Sequence, residues 1–133
     1  MRIVIFLALG LFLSSCDLDV GDDFYFEKVP AHNIQTPDNT YLNTNCELTF
    51  DYQLPNECYN FYDIDYVVVN DTVRVITPFA KVENGVNCTS SIIEGSYSFQ
   101  FRPTLAKTYI FKFWIGADDL GNDLFEEYEL EID

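Results

Sequence analysis

Apolar and polar residues alternate with a period of two along most of this chain, starting at Phe24. Residues 46–53 show it most clearly, because Cys46, Leu48, Phe50 and Tyr52 are separated by single polar residues. Similar runs follow at 63–68, 73–79, 97–101, 109–114 and 127–132. A helix would repeat every 3.6 residues, whereas a half-buried strand repeats every two. The pattern predicts about seven strands and no amphipathic helix.

Strands with one wet and one dry face are typical of antiparallel sheets, and two such sheets bury their dry faces against each other. We therefore expect an all-β fold, a single antiparallel β-sandwich over residues 24–133. Residues 30–45, 83–95 and 116–124 are rich in turn-forming residues. They are predicted to be loops that form the contact surface of a binding protein.

The last third carries a strand–turn–strand passage in which Tyr109 opens the second strand, after Phe101-Arg102-Pro103 and a short polar turn. A hairpin turn at 116–122 and a final strand at 126–132 follow. Over residues 46–132 this pattern resembles bacterial Ig-like domains, although the antibody-type cysteine pair is missing and Trp114 does not lie on the expected middle strand. A jelly roll or a small barrel remains an alternative.

The N-terminal segment places Arg2 before an apolar run at 3–13, which ends in Leu13-Ser14-Ser15-Cys16. The run is too short to span a bilayer and is typical of a cleaved export signal. The four residues resemble the lipobox of bacterial lipoproteins. The resemblance implies removal of residues 1–15 and lipidation of Cys16, so that the acyl chains anchor the protein to a membrane.

Residues 16–23 form a short acidic tether. Acidic residues directly after a lipidated cysteine resemble the surface-export signals of Bacteroidota-type envelope lipoproteins. That resemblance implies an outer-membrane lipoprotein exposed at the cell surface, with a periplasmic orientation as the alternative.

The chain carries 22 acidic and seven basic residues, a formal net charge of −15. Such a surface repels nucleic acid and anionic headgroups, so we expect no nucleic-acid partner. Aromatic residues make up 17% of the chain, which is typical of a folded domain and not of an acidic disordered tail.

Three cysteines remain beyond Cys16, and export to an oxidising compartment favours one disulfide. A hairpin turn at Asn70-Asp71 would bring Cys58, before one strand, toward Cys88, after the next. We expect a Cys58–Cys88 bond with Cys46 as a core-facing thiol, and other pairings remain open. The cysteine spacing fits no metal motif.

Candidate catalytic groups are few. His32 is the single histidine and lies in the predicted 30–45 loop, while Asp63 and Asp65 would share one face of a strand. Paired carboxylates can cleave glycosides, but neighbours on a strand are more often an exposed edge. The chain has no nucleophile or phosphate-binding motif. We expect neither enzymatic activity nor a cofactor.

An acidic cluster contains Asp118, Asp119 and Asp123 and is the one weak candidate for calcium binding. Calcium needs several oxygen ligands at a defined spacing, and this spacing matches no calcium loop. The cluster is therefore predicted to be a solvated turn without a metal.

Two further features concern glycans. Exposed aromatic rings can stack on sugars, and Tyr59, Phe61, Tyr62 and Trp114 are candidates for such a platform, with the sandwich core as the competing use of aromatic residues. In addition, Asp71-Thr72-Val73 matches a short pattern of O-glycosylation in Bacteroidota-type exported proteins, which would modify Thr72.

Together these features favour a lipid-anchored binding or accessory protein of the cell envelope, acting as a protein-interaction subunit of a membrane complex. A surface glycan-binding module is the main alternative. A cation-binding or hydrolytic domain has the least support.

Overall fold

A computed structural model describes residues 23–85 and 87–133. The described residues form eight strands, and none of them is helical: β1 Phe24–Lys28, β2 His32–Gln35, β3 Cys46–Leu54, β4 Tyr59–Val68, β5 Val73–Glu83, β6 Ile93–Phe101, β7 Tyr109–Ala117 and β8 Asp123–Leu130. The predicted signal segment 1–15, Cys16 and all but the last residue of the predicted tether lie outside the described residues.

The strands form a five-stranded and a three-stranded sheet, which confirms the predicted all-β sandwich. In the larger sheet β4 pairs with one side of β5. On the other side of β5, β1 pairs with residues 79–83 and β7 pairs with residues 73–76. Strand β8 follows β7, and the smaller sheet has the order β2-β3-β6. All strand pairs are antiparallel except β5–β7, which is parallel and departs from the wholly antiparallel prediction.

The structure has one strand more than the seven predicted. The additional strand is β2, which lies inside residues 30–45, the segment predicted to be a loop. The chain crosses from one sheet to the other just before it, where Val29 N–H donates to Pro78 O and Ala31 N–H to Trp114 O. The strand is four residues long, and Asn33 has a positive φ of 48° that interrupts its register with β3. Such a short, irregular strand leaves no alternation in the sequence.

The core lies between the two sheets. The largest fully buried side chains include Leu48 and Phe50 of β3, Ile76 of β5, and Phe111 and Phe113 of β7. In β3 and β7 these residues are the alternating positions that the sequence indicates. In β5 the alternation of Val73, Val75 and Phe79 marks the other face, and the buried side chains are Ile76, Pro78, Ala80 and Val82. Full burial of one such side chain contributes about 1.5–3 kcal/mol, which makes this layer the main source of stability.

The predicted turn at Asn70-Asp71 joins β4 to β5. Val69 N–H donates to Val73 O at 3.0 Å, and the side-chain oxygen of Asn70 accepts from the backbone N–H of Thr72 and Val73. An asparagine side chain that bonds the backbone two residues on is a standard way to tighten a turn.

The same hairpin brings the predicted cysteine pair together. Cys58 precedes β4, Cys88 follows β5, and the structure joins them in a disulfide with a Cα–Cα distance of 5.4 Å. Cys46 is the free cysteine among the described residues, and its thiol donates to Phe101 O at 3.4 Å. Burial raises the pKa of the Cys46 thiol.

A β-bulge in β4 decides what its neighbours expose. Phe61 pairs with Ala80 and Asp63 with Phe79, so Tyr62 has no partner of its own in β5. The extra residue shifts the alternation by one. Phe61 before the bulge and Ile64 after it both pack against the core, while Tyr62 is exposed to solvent.

Candidate functional site

The outer face of the three-stranded sheet is polar throughout. Four cross-strand side-chain pairs cover it from end to end: Glu47–Gln100, Thr49–Ser98, Asp51–Ser96 and Gln53–Glu94. Because these groups already bond one another or water, a partner that covered them would have to replace those bonds. This face has the properties of a solvated surface.

The outer face of the five-stranded sheet is different, because aromatic rings lie open on it. Phe24 and Phe26 alternate along β1, and Phe26 is 48% exposed. Tyr62 is 61% exposed, and its ring centroid lies 4.7 Å from that of Phe26 at an angle of 52°. With Phe79 of β5, which lines the same depression, these residues form a surface that we call the aromatic patch: Phe24, Phe26, Tyr62 and Phe79.

A shallow depression of about 330 Å³ lies within the aromatic patch. Three rings of the patch form its walls together with Ile64 and the two carboxylates of β4. The lining residues are Phe26, Tyr62, Phe79, Ile64, Asp63 and Asp65. Lys81 lies over the ring of Phe24, 4.2 Å from its centroid, and borders the patch on the β1 side. The depression can accept an apolar group, and its acidic rim favours a cationic group beside it.

Two further apolar residues are exposed outside the patch. Val67 of β4 and Phe125 of β8 are both about two-fifths exposed. Single exposed apolar residues are common on any protein, so the contact between the exposed rings of Phe26 and Tyr62 is the feature of this face that indicates a binding surface.

Of the four aromatic residues predicted as a sugar platform, the structure exposes only Tyr62. Trp114 is 8% exposed, with Lys28 Nζ 5.5 Å from its ring centroid and its Nε1–H donated to Asp123 Oδ1 at 2.9 Å. Phe61 stacks on Tyr52 between the sheets, at 4.5 Å and 21°.

Tyr59, the remaining candidate, donates its hydroxyl to Glu27 at 2.6 Å and packs against the smaller core cluster. That hydrogen bond and partial burial raise the pKa of Tyr59 well above its usual range. Phe26 is not among the residues predicted from the sequence, although the spacing of two between Phe24 and Phe26 places both rings on one face of β1.

The acidic turn after β7 is held together by its own side chains. Asp118 accepts hydrogen bonds from the backbone N–H of Leu120 and Asn122 and from the Asn122 side chain. The bonds from Asn122, more than that from Leu120, lower the pKa of Asp118.

The other two calcium candidates do not converge with it. Asp123 is bonded to Trp114 and paired with Lys28 at 3.5 Å, and Asp119 lies exposed in the turn. Across 23–85 and 87–133, no three acidic, histidine or cysteine side chains come together as a metal site.

His32, Asp51 and Ser96 meet on the polar face, but not in a catalytic order. The hydroxyl of Ser96 donates to Asp51, and the Asn33 side chain donates to Asp51 at 2.7 Å. Both bonds, the one from Ser96 first, lower the pKa of Asp51. In a catalytic triad the serine hydroxyl donates to a histidine, which in turn donates to the carboxylate, whereas here the Ser96 hydroxyl donates to Asp51 directly.

Asp63 and Asp65 lie on the outer face beside the patch, as their spacing predicts. The carboxylate of Asp63 accepts the backbone N–H of Ile64 at 2.8 Å and the hydroxyl of Tyr97 at 3.2 Å. Asp63 is thus engaged in local structure, and Asp65 is the freer charge at the rim of the depression.

Thr72 lies half-buried in the β4–β5 turn, with its hydroxyl 3.4 Å from the side-chain oxygen of Asn70. O-glycosylation of Thr72 stays a prediction. The same holds for lipidation of Cys16, which lies outside the described residues. Within the described part of the chain, no helix is long and apolar enough to cross a membrane.

Comparison with known protein families, with characterised proteins and with solved structures finds no match to this chain. The similarity to Ig-like domains and to lipoproteins therefore stays a prediction from the sequence patterns.

Proposed function

We propose that this protein is a non-catalytic, lipid-anchored binding subunit of a bacterial cell envelope, and that the aromatic patch is its docking surface for a membrane protein. The observation that carries the proposal is the contrast between the two outer faces. One is tiled with mutually bonded polar side chains, and the other exposes Phe26 and Tyr62 to water.

Hydrophobic burial supplies the driving force. Covering each half-exposed ring contributes about 1 kcal/mol, and aromatic residues are enriched among those that dominate binding energies. The net charge of −15 favours a partner with basic groups around an apolar contact and speeds its association.

The position of the patch in the chain favours a partner in the same membrane. About eight residues separate Cys16 from Phe24, where the patch begins. Even fully extended, that tether spans at most ~28 Å. Acyl chains on Cys16 would therefore keep Phe24 and Phe26 within reach of the extramembrane parts of membrane proteins. The outer membrane is the proposed location, with the domain at the cell surface or facing the periplasm.

A glycan is the second candidate ligand, because the exposed ring of Tyr62 lies beside the Asp65 carboxylate in the depression. A sugar platform would have two nearly coplanar rings, whereas Phe26 and Tyr62 meet at 52°. The geometry suits a side chain inserted between the rings better than a flat pyranose, so a protein partner is favoured.

The test is a pull-down of the full-length protein from its native membrane in mild detergent, followed by mass spectrometry. We expect one stoichiometric membrane protein with the wild type. It should be lost with the double variant Phe26→Ser/Tyr62→Ser and kept with the control Thr49→Ala/Ser98→Ala on the polar face. Recovery of the wild-type protein without a bound membrane protein would overturn the proposal and favour glycan binding.

A further inference from the structure

Strand β4 is hydrogen-bonded to a neighbour on one side only. It pairs with β5 along its length, and no other strand of residues 23–85 and 87–133 pairs with its second side. The free side of an edge strand presents unpaired N–H and C=O groups, which can form a ladder with another extended chain.

The register identifies which residues of β4 present these groups. Val69 N–H donates to Val73 O, and this pair continues the register in which Val67 lies opposite Val75. In an antiparallel pair, alternate residues direct both backbone groups to the same neighbour. Residues 65, 67 and 69 therefore bond toward β5, and the backbone groups of Tyr66 and Val68 point to the free side.

The first half of this edge is closed by the protein itself. The bulge between Phe61 and Asp63 breaks the ladder, and the Asp63 carboxylate occupies the N–H of Ile64 at 2.8 Å. Bulges and local caps of this kind are devices that stop unwanted strand pairing.

The second half of the edge is open and apolar. Tyr66 and Val67 are each about two-fifths exposed, and Val68 and Val69 are each 58% exposed. No lysine or proline, the usual protection of an edge, occurs between Asp65 and Val69.

The other edge strands in the described residues are less suited to pairing. Strand β1 is only five residues long and ends in Glu27 and Lys28, and charged residues, lysine above all, are the usual protection of an edge. In β8 three of the four residues from 126 to 129 are glutamates, so this edge lacks an apolar run against which the apolar side chains of an added strand could pack, and β2 is short and irregular. The outward side chains of β6 belong to the bonded polar pairs on the face of the smaller sheet.

We propose that residues 65–69 of β4 accept an extended segment of the partner protein as an additional strand. The segment alternates apolar residues with lysine or arginine. Its apolar side chains pack beside Tyr66 and Val68 on the inward side, and its basic side chains lie beside Asp65 on the outer face. This inference rests on the proposed function, because the added strand extends the face that carries the aromatic patch.

Charge selects this occupant over a second copy of the chain. Strand β4 carries Asp63 and Asp65 and no basic residue, and the whole chain has a net charge of −15. Two copies would bring like charges together, which is unfavourable both across paired strands and over the whole surface. A basic segment meets complementary charge in the same place.

The experiment uses full-length protein in detergent micelles and a blocked seven-residue peptide of alternating valine and lysine. Binding is followed by amide NMR shifts and hydrogen exchange at Tyr66 and Val68. We expect saturable shifts at these residues and slower exchange of both amides. A peptide of alternating valine and glutamate, matched in length, should bind at least about tenfold more weakly.

Three variants distinguish strand pairing from nonspecific adhesion and test the charge selection. Val68→Pro removes an N–H that the β5 ladder does not use, so the fold is kept while binding of the lysine peptide falls roughly tenfold. Val68→Thr keeps both the N–H and the branched side chain, and should bind as the wild type does. Asp65→Asn, which leaves the backbone intact, should weaken the lysine peptide and not the glutamate peptide.

Unchanged exchange at Tyr66 and Val68 under saturating peptide would overturn strand addition, even if the membrane pull-down still recovered a partner. Equal binding of the two peptides would overturn the charge selection. Concentration-dependent self-association that Val68→Pro abolishes would make a second copy the occupant. If the wild type bound the lysine peptide normally but recovered no membrane protein in the pull-down, the result would contradict the proposed role of the aromatic patch and not strand addition.

Discussion

The ring of Tyr52 on β3 covers Gly95 on β6, directly across the strand pair, and fills the space that a side chain at position 95 would occupy. The ring of Phe61 on β4 stacks on the ring of Tyr52, with 4.5 Å between the two ring centroids. Because Gly95 has no side chain, the ring of Tyr52 can lie over it and also contact Phe61 of the other sheet. Tyr52 thereby links the two sheets next to the segment of β4 that carries Tyr62.

Replacement of this glycine tests that bridge. Gly95→Ala should displace the Tyr52 ring and lower the free energy of unfolding by about 1–3 kcal/mol, the usual cost of overpacking. Urea denaturation followed by tyrosine fluorescence measures the change, with Ser98→Ala on the outer face of the same strand as control. Equal stability of Gly95→Ala and wild type would show that the Tyr52 ring can adopt another position without loss of stability.

The disulfide stabilises the β4–β5 hairpin at its open end. Cys58 and Cys88 are 30 residues apart, and closing a loop of that length contributes about 3–4 kcal/mol by the chain-entropy relation. The double variant Cys58→Ser/Cys88→Ser should therefore unfold at a clearly lower denaturant concentration than the wild type. A reducing agent should lower the denaturation midpoint of the wild type and leave that of the variant unchanged. If reduction left the wild-type midpoint unchanged, the bond would contribute nothing to stability.

Acid should weaken the polar face through Asp51. Hydrogen bonds from Ser96 and Asn33 lower the pKa of Asp51. A carboxyl with a lowered folded-state pKa contributes stability above its unfolded pKa of about 3.9, and loses it as pH falls through the folded value. Asp51→Asn should be less stable than wild type at pH 7, and the difference should shrink below about pH 4. A difference that is constant from pH 7 to pH 2 would contradict the assigned hydrogen bonds.

Anchoring and modification are open to intact-mass measurement. A mature chain that starts at Cys16 and carries acyl chains should partition into detergent, whereas Cys16→Ser should stay unprocessed and lack the lipid mass. A further glycan mass should disappear in Thr72→Ala. A wild-type mass that equals the unmodified chain of 133 residues would rule out both modifications.

Alternation in the sequence predicted the strands that form the core, because β3 and β7 bury every second residue over long runs. Period two shows which residues share a face, but not which face meets water. The exposure of Phe26 was therefore not predicted. The bulge between Phe61 and Asp63, which lets both Phe61 and Ile64 pack against the core, also left no signal in the alternation.

Pairings that depend on distant parts of the chain left no local signal. The parallel contact of β5 with β7 joins residues 73–76 to residues 110–113, and nothing within either strand specifies its neighbour. The Asn70-Asp71 turn is the opposite case. Its geometry comes from a few adjacent residues, so both the hairpin and the cysteine pair next to it could be predicted.

Contact between the aromatic patch and a membrane protein can be measured by photo-crosslinking in native membranes. A photoreactive phenylalanine analogue replaces Tyr62 on the patch or, in a separate variant, Ser98 on the polar face. We expect one discrete adduct with a membrane protein from position 62 and none from position 98. Adducts from position 98 alone, or from neither position while the protein remains in the membrane, would contradict the proposed contact.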